Sequence, residues 1–380
     1  MTPTDPALAH RSGPSRGPVI TAARTRVFSR ETARAQWNPR TRWNVKRVIL
    51  VELELEDGTT GLGEAYCDGG TTESVVALIE KDFAPGLIGQ SPFPPRRLWQ
   101  RMVDTTIVSC KGGAAFAAIS ALDTALWDLA GKTLGQPVHR LLGGTRDTVP
   151  VYASAGLYGE GKSLDDLGEE MAGYVRKGFR AVKMKIGGVP AAQDIARVRS
   201  VREAIGPDVK LMVDALYAYS APQALDMARR MEPLDILFLE APVHPGDLDG
   251  LREVCARSPV PVAGNEFAYG MDAFRDLVQA GVHVLHADVI LCGGVTAASR
   301  VADLADTFHR SISFHAASSL VCLTANAHVA AAAPNAQSVE YHMLHDMLFD
   351  KARTMPFELV DGLLQLGTAP GLGLEMVFGD

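Results

Sequence analysis

The stretches AVKMKI (Ala181–Ile186), KLMVDAL (Lys210–Leu216) and ILFLEAP (Ile236–Pro242) decide the fold. Each is a short apolar run that carries a charged residue at or near its end, and a stretch with helical patterning follows each one. The same alternation extends on both sides through five further runs, VPVYAS, PVAGNE, HVLHADVI, SISFH and SVEY. Eight strand–helix repeats over about 200 residues predict an α/β fold with a parallel sheet, closed into a barrel.

The chain before these repeats has a different pattern. Val48–Glu56 reads VILVELELE, in which apolar residues alternate with glutamates as in a half-buried strand. Asp57-Gly58 and the run Thr59–Tyr66 follow, which predicts a hairpin around the DG turn. Ala114–Lys132 is rich in helix formers and contains no proline, so it predicts a long helix. An α+β unit is therefore expected ahead of the barrel.

These patterns divide the chain into three parts. We expect a disordered Pro/Ser-rich tail over residues 1–18 and a barrel catalytic domain over residues 148–349. The α+β capping domain is expected to comprise residues 19–147 together with residues 350–380. The latter segment is loop-like in sequence and is expected to pack back on the first domain.

Composition excludes several classes of protein. The 380 residues include 37 basic and 44 acidic side chains, a net charge of −7 that argues against nucleic acid as a partner. The five cysteines are scattered without a C-x-x-C pair, which argues against a disulfide framework and favours a reducing cytoplasm. No apolar run is long enough to predict a membrane span, and the N-terminus lacks the apolar core of a secretory signal.

Charged residues mark the ends of seven consecutive predicted strands. In a βα barrel these ends meet at one rim, where active sites lie. The residues, in chain order, are Lys183 and Lys185, Asp214, Glu240, Glu266, Asp288, His315 and Glu340. A single charge at a strand end is ordinary surface chemistry, but seven in succession predict a catalytic site.

Three of these residues form a candidate metal site. Asp214, Glu240 and Glu266 are spaced by 26 and again by 26 residues, which places them at equivalent points on adjacent strands. Converging carboxylates repel one another unless a cation lies between them, and ligands that are all oxygen favour Mg²⁺. The alternative is a ring of ion pairs with the lysines.

The remaining rim residues are candidates for proton transfer. Lys183 and Lys185 lie two residues apart on one strand face, so each is expected to lower the pKa of the other and make a usable base. His315 and Asp288 end neighbouring strands and are expected to form an acid–base dyad. Glu340, if protonated, could donate a hydrogen bond to a developing enolate oxygen.

The sequence resembles the enolase superfamily, and within it the mandelate racemase group. The matching segments are AVKMKIG (181–187), VDA (213–215), LEAP (239–242), NE (265–266), HADVILCGG (286–294), SFH (313–315), ALWDLAGK (125–132), LLGG (141–144) and PGLGLE (370–375). The resemblance implies a modified (β/α)7β TIM barrel with an α+β capping domain and Mg²⁺ on the three carboxylates. It also implies Lys185 as one base tuned by Lys183, the His315–Asp288 dyad as the opposite acid or base, and Glu340 as electrophile.

Substrate recognition is less clearly marked. Members of this family often carry asparagine two residues after the first metal ligand, where this chain has Leu216. Two stretches are candidates for the capping-domain loops that select substrate in the family, RAQWNPRTRW (34–43) and YCDGGT (66–71). The side chains expected to bind or cover a carboxylate substrate are Arg34, Trp37, Arg40, Arg42, Trp43 and Tyr66.

The common reaction that the resemblance implies is abstraction of the proton α to a carboxylate, giving an enediolate. We expect this to lead to loss of water from a sugar acid, so the chain is predicted to be a hydro-lyase that forms a 2-keto-3-deoxy acid. A racemase or epimerase and a cycloisomerase of an anhydro sugar acid or lactone would use the same residues.

A non-catalytic barrel is disfavoured because no predicted ligand or base is missing. The lone G-x-G at Gly61 and Gly63 is a weak signal for a nicotinamide enzyme. The resemblance also implies a homo-oligomer.

Overall fold

A computed structural model describes residues 17–68, 70–108, 112–144 and 146–377, without the side chains of residues 32–35 and 43. The tail predicted over residues 1–18 lies outside the described residues except for its last two. Across the described ranges, no helix combines the length and apolar character needed to cross a bilayer.

The N-terminal region is an antiparallel sheet packed on helices. Its strands and helices are β1 (Ile20–Trp37), β2 (Arg42–Leu55), β3 (Thr60–Ala65), α1 (Thr72–Ala77), α2 (Pro95–Thr105), α3 (Ala114–Leu134) and α4 (Val138–Leu141). The predicted hairpin is β2 and β3, with Val51 opposite Gly63, and the predicted long helix is α3. Strand β1 was not predicted, and it pairs with β2 so that Val27 lies opposite Ile49.

The G-x-G pair serves packing between β3 and α3. A Cβ atom on Gly63 would lie 1.9 Å from the carbonyl oxygen of Ala121, and one on Gly61 would lie 2.4 Å from that of Ala125. Real Cβ atoms do not approach this closely, so only glycine lets the strand lie against the helix. The motif is inside a strand and does not open a helix, as a dinucleotide-binding turn would.

The remainder of the chain forms a closed parallel barrel. Its eight strands are β4 (Thr148–Ala155), β6 (Ala181–Lys185), β7 (Lys210–Asp214), β8 (Ile236–Glu240), β9 (Val262–Gly264), β10 (Val284–Ala287), β11 (Ser311–Phe314) and β12 (Ala336–His342). Pairing of β12 with β4, at Val339 and Val151, closes the ring. All eight predicted runs are strands.

One helix separates each strand from the next around the barrel. These helices are α5 (Leu164–Arg176), α6 (Ala191–Ile205), α7 (Ala221–Met231), α8 (Leu248–Arg257), α9 (Gly270–Gln279), α10 (Gly294–Thr307) and α11 (Leu320–Ala332). The predicted (β/α)7β architecture is therefore confirmed. Local sequence signals agree with the helix boundaries, since Ser163 with Asp166 and Ser220 with Gln223 form capping boxes at the first turns of α5 and α7.

The C-terminal segment contacts both parts of the molecule. The interpretation of residues beyond 350 as loop-like is wrong for the hairpin of β13 (Phe357–Val360) and β14 (Leu363–Leu366), whose β14 pairs antiparallel with β4. Further on, the amide of Leu372 donates to Asp128 of α3 at 2.8 Å. The Asp361-Gly362 turn is the same signal that predicted the hairpin of β2 and β3, so the sequence could have revealed this hairpin too. The two-domain division stays a prediction.

A buried histidine at this junction predicts loss of stability in acid. His328 Nδ1 accepts a hydrogen bond from the His139 amide (3.2 Å), so it can do so only while that nitrogen carries no proton. Burial, with the His139 ring nearby, lowers the pKa of His328 to about 3 from its usual 6.5. The unfolded chain takes up this proton near pH 6.5 and the folded chain does not, so the free energy of unfolding falls as pH drops from 6.5 towards 3.

Urea unfolding between about pH 7 and pH 4 measures this effect. His328→Asn is expected to flatten the decline of unfolding free energy with falling pH, whereas the exposed His309→Asn should keep the wild-type slope. Equal slopes in His328→Asn and wild type would contradict the assignment.

Candidate active site

The eight predicted rim residues are all buried at the carboxyl ends of the barrel strands. Lys185 lies beside Asp214 in the strand register, and Asp214 lies beside Glu240. Glu266, Asp288 and His315 follow the ends of β9, β10 and β11, and Glu340 lies within β12. Parallel pairing brings these separate stretches of chain to one rim, as the pattern of strand ends predicted.

The two lysines are held by carboxylates. Lys183 Nζ lies 2.5 Å from Glu240 Oε2, 3.4 Å from Glu340 Oε2 and 3.9 Å from Asp214 Oδ2. Lys185 donates to Asp214 Oδ2. Burial disfavours both ammonium charges, but the surrounding acidic groups together outweigh it and raise the pKa of each lysine, with Glu240 contributing most for Lys183 and Asp214 most for Lys185. Lys183 does lower the pKa of Lys185, as the sequence predicts, but the carboxylates outweigh this effect, so the lowered pKa expected of a usable base is not found.

The candidate metal ligands include oxygens without partners. Glu240 Oε1 and Glu266 Oε2 are buried and accept no hydrogen bond within the described residues. His286 Nδ1 is 3.1 Å from Glu240 Oε1 but lacks the geometry of a hydrogen bond. Burial, then the negative charge of Glu240, raises the pKa of Glu266, whereas Lys183, His286 and Lys185 together outweigh burial and lower the pKa of Glu240.

These observations define how far the site fits a metal. In the described part of the chain, no three His, Cys, Asp or Glu side chains are grouped closely enough to hold an ion as they stand. The alternative to a metal site, ion pairs between the carboxylates and the lysines, is the arrangement observed. The donor chemistry nevertheless fits Mg²⁺, because the three carboxylates lie at the ends of the adjacent strands β7, β8 and β9, and two of their oxygens are buried without a hydrogen bond from the described residues.

His315 and Asp288 form a hydrogen-bonded pair. His315 Nδ1 donates to Asp288 Oδ2 at 2.8 Å, and Asp288 Oδ1 accepts from Asn326 Nδ2 at 3.0 Å. Burial disfavours the imidazolium, but Glu340 and Asp288 outweigh it and raise the pKa of His315 to about 9. His315 is therefore protonated at neutral pH, with Asp288 fixing the orientation of its ring.

Glu340 lies between the lysine and histidine groups. Its Oε2 is 3.4 Å from Lys183 Nζ and 3.6 Å from His315 Nε2. Although burial favours the neutral acid, the two cations outweigh it and lower the pKa of Glu340 to about 2. The neutral carboxylic acid that a donor role requires is not the form favoured by this arrangement.

A cavity of about 140 Å³ opens above these groups, between the barrel and the N-terminal region. Its lining residues are Asn38, Thr41, Lys46, Tyr66, Asp68, Lys185, Leu216, Glu266, Phe267, His315, Ala317, His342 and His345. Lys185, Glu266 and His315 therefore share one space with side chains from β2 and the segment after β3. Leu216 presents an apolar side chain to it.

The predicted substrate residues are only partly at this cavity. Tyr66 lines it. Trp37 instead stacks on Tyr158 at 6.1 Å between ring centroids and lines a separate cavity, and the Arg42 guanidinium covers the Trp37 ring at 4.5 Å. Pairing of the end of β1 with the short strand β5 (Tyr158–Gly159) carries Trp37 there. Arg40 donates to the carbonyl of Tyr217.

The side chains of Arg34 and Trp43 lie outside the described residues, so their roles stay predictions. The lid role of Trp37 and the carboxylate-binding role of Arg42 are not supported by their positions.

Sequence reasoning missed Lys46, His342 and His345 of the cavity, whereas Asn38, Thr41 and Asp68 lie in the two candidate stretches without having been singled out. Lys46 Nζ pairs with Asp68 Oδ2 at 2.8 Å on the side of the N-terminal region. The rings of His342 and His345 stack at 3.8 Å on the barrel side. His342 ends β12 two residues after Glu340, so the rule that identified the other strand-end charges could have identified it. Nothing in the local sequence marks Lys46, which is one of several charges in an alternating strand.

A closed βα barrel with buried acid–base groups at the carboxyl ends of its strands defines an enzyme of the TIM-barrel class. Two family models match the chain: the Mandelate racemase / muconate lactonizing enzyme N-terminal domain over residues 23–143 and the Enolase C-terminal domain-like family over residues 166–378. The chain therefore belongs to the mandelate racemase / muconate lactonizing enzyme family of the enolase superfamily, which confirms the resemblance seen in the sequence.

Named relatives of this chain include two curated enzymes and a solved structure. An arabinonate dehydratase of Saccharolobus solfataricus is 35% identical over 86% of this chain and 87% of that protein. A D-galactarolactone cycloisomerase of Agrobacterium fabrum is 32% identical, with coverage of 94% and 96%. The crystal structure of a racemase from Streptomyces coelicolor A3(2) with bound magnesium is 30% identical, with a TM-score of 0.87 over 94% of this chain and 97% of that one.

Proposed function

We propose that this protein is an acid-sugar dehydratase, which removes the proton α to a carboxylate and then the β-hydroxyl as water. The observation that carries the proposal is that Lys185 and His315 face one cavity. Their strands, β6 and β11, are three positions apart around the barrel by way of β4 and β12. Two proton-transfer groups on different sides of one bound substrate can act on adjacent carbons.

The residues of the chain have distinct roles in this reaction. Lys185 takes the α-proton, and the electron pair of that C–H bond forms the enediolate. Protonated His315 gives its Nε2 proton to the β-hydroxyl as the C–O bond breaks, so water leaves and an enol remains. The enol tautomerises to the 2-keto-3-deoxy acid. A pKa of about 9 suits His315 to the role of acid, and the contact with Asp288 holds Nε2 towards the cavity.

Mg²⁺ is assigned to Asp214, Glu240 and Glu266 in this proposal. Bound there, it would supply a Lewis acid for the negative charge that develops on the substrate carboxylate. The partnerless oxygens of Glu240 and Glu266 support the assignment, as does the magnesium in the structure of the Streptomyces coelicolor racemase. Lys185 is a base only when neutral, so its pairing with Asp214 has to be loosened before the proton moves.

Polar side chains from both the N-terminal region and the barrel line the cavity and support a polyhydroxylated substrate. Lys46, Asp68, His342 and His345 offer both donors and acceptors there, which suits hydroxyl groups. The arabinonate dehydratase of Saccharolobus solfataricus is a relative named for an acid sugar. A small sugar acid is thus the proposed partner, and the cytoplasmic location and the homo-oligomer stay predictions.

A cycloisomerase is the second candidate. The relative from Agrobacterium fabrum matches over 94% of this chain and is named a D-galactarolactone cycloisomerase. Such a reaction can use the same Lys185 and His315 without releasing water. Racemisation or epimerisation at the α-carbon would also need only these two groups.

Incubation in D₂O with Mg²⁺ and a pooled library of pentonates, hexonates, aldarates and aldarolactones tests the proposal by mass spectrometry. We expect a product lighter by one water that carries deuterium from solvent. Deuterium incorporation without loss of water would favour an epimerase or racemase. Consumption of a lactone at constant elemental composition would favour the cycloisomerase, and no conversion of any sugar acid would contradict the dehydratase.

A further inference from the structure

We propose that Glu64 of strand β3 is a positioning residue that holds the His315–Asp288 pair in place from the N-terminal region. The proposal rests on the dehydratase function described above. Among the described residues, Glu64 neither lines the cavity nor bonds to a proposed metal ligand, yet its side chain is fully buried against the segment that follows β11. It would make the acid side of the reaction depend on correct packing of the N-terminal region.

The hydrogen bonds of the Glu64 side chain go to the segment that follows β11. Glu64 Oε1 accepts from the Ser318 hydroxyl, and Oε2 accepts from Ser319 Oγ at 2.5 Å. The backbone amide of Cys322 donates to Oε2 at 2.9 Å, and that of Ser319 reaches Oε1 at 3.3 Å. One carboxylate thus receives four donors, three to seven residues after His315 in the chain.

This segment is also the start of α11. Ser319 caps the helix, because its hydroxyl accepts from the Val321 amide at 3.1 Å. A carboxylate at a helix N-terminus satisfies amides that have no partner within the helix and interacts favourably with the helix dipole. Glu64 therefore fixes where α11 begins relative to His315.

Helix α11 in turn supports Asp288. Asn326 Nδ2 donates to Asp288 Oδ1 at 3.0 Å, and Cys322 Sγ lies 3.7 Å from the same oxygen. Asn326 Oδ1 also accepts from the Val289 amide at 3.0 Å. Glu64 thus acts on both members of the pair, on His315 through the chain that follows it and on Asp288 through α11.

Removal of the carboxylate leaves several buried donors without a partner, so the segment is expected to shift. A shift of His315 weakens protonation of the leaving hydroxyl, but Lys185, on β6, is not held by this segment. Glu64→Ala is therefore expected to lower kcat for dehydration by about 10²–10³-fold, within the range that a positioned acid contributes. Exchange of the α-proton with D₂O, which needs only Lys185, should stay within about threefold of wild type.

Two further variants separate positioning from simple loss of structure. Glu64→Gln keeps the shape and an acceptor oxygen, so it should restore part of the dehydration rate. Asp128→Asn is the matched control, since Asp128 is an equally buried carboxylate of α3 that binds the amides of Leu62 and Leu372 and has no contact with the His315 pair. Any loss in this control should affect dehydration and exchange equally.

A measurement without substrate keeps the proposal open to refutation even if the dehydratase function fails. In ¹⁵N-histidine NMR of the whole protein, Glu64→Ala is expected to lower the pKa of His315, because its contact with Asp288 is loosened. An unchanged His315 titration, or an equal fall of dehydration and exchange in Glu64→Ala, would overturn the positioning role. Failure of wild type to dehydrate any acid sugar would instead overturn the proposed function.

Discussion

Replacement of Glu240 by glutamine is expected to abolish Mg²⁺-dependent dehydration, with a fall in kcat of more than about 10³-fold. Glu240 lies in the buried charge cluster, where its Oε2 holds Lys183 at 2.5 Å and its Oε1 accepts no hydrogen bond from the described residues. The amide has the same shape but no charge, so it takes away one of the three proposed ligands without opening a cavity. A Lewis acid contributes several kcal/mol to such a reaction, and about 1.4 kcal/mol corresponds to tenfold in rate.

Calorimetric titration with Mg²⁺ gives a readout of Glu240→Gln that does not depend on turnover. We expect heat of binding in wild type and none in the variant at the same concentrations. Glu203→Gln on the exposed face of α6 removes a charge of the same kind away from the site and should titrate like wild type. Full activity or unchanged Mg²⁺ affinity in Glu240→Gln would refute the metal assignment.

The barrel could be predicted because the sequence signals for each of its strands and helices are local. Each strand is a short apolar run bounded by helix signals, and the charges at the strand ends follow from where βα barrels carry chemistry. Strand β1 escaped prediction for the opposite reason. Among its residues with described side chains only Ile20 is buried, and its remaining pattern, including Arg24 and Arg26, is typical of exposed chain. Its pairing with β2, which is not local, makes it a strand.

The composition of the site was also predictable, but its pairing was not. The sequence places Lys183, Lys185 and the carboxylates at one rim. Whether the pKa of a lysine there is raised or lowered depends on its distances to the carboxylates, which are 2.5 to 3.9 Å for Lys183. Two lysines alone lower each other's pKa, whereas lysines against Glu240 and Asp214 have it raised. Similarly, Trp37 was assigned to a lid because it lies in the candidate substrate loop 34–43, which does bring Asn38 and Thr41 to the cavity. The β1–β5 pairing turns it away from them.

Replacement of His315 by asparagine is expected to separate the two halves of the reaction. Asparagine can keep a hydrogen bond to Asp288 but cannot deliver a proton to the leaving hydroxyl. Dehydration should therefore fall by about 10³-fold, within the 10²–10⁴ range for loss of a general acid. Lys185 contacts Asp214 and lies on β6, away from the substituted strand, so it should still remove the α-proton.

With His315→Asn in D₂O, we expect the recovered substrate to contain deuterium although no product forms. Lys185→Ala is the reciprocal variant. Because Lys185 is the proposed base for the α-proton, its removal should stop both exchange and dehydration, whereas His315→Asn should stop only dehydration. If Lys185→Ala still dehydrated normally, the lysine would not be the base. If His315→Asn lost exchange and dehydration together, His315 itself would be the group that removes the α-proton. The direction of proton transfer across the cavity would then be reversed, with Lys185 on the side of the leaving hydroxyl.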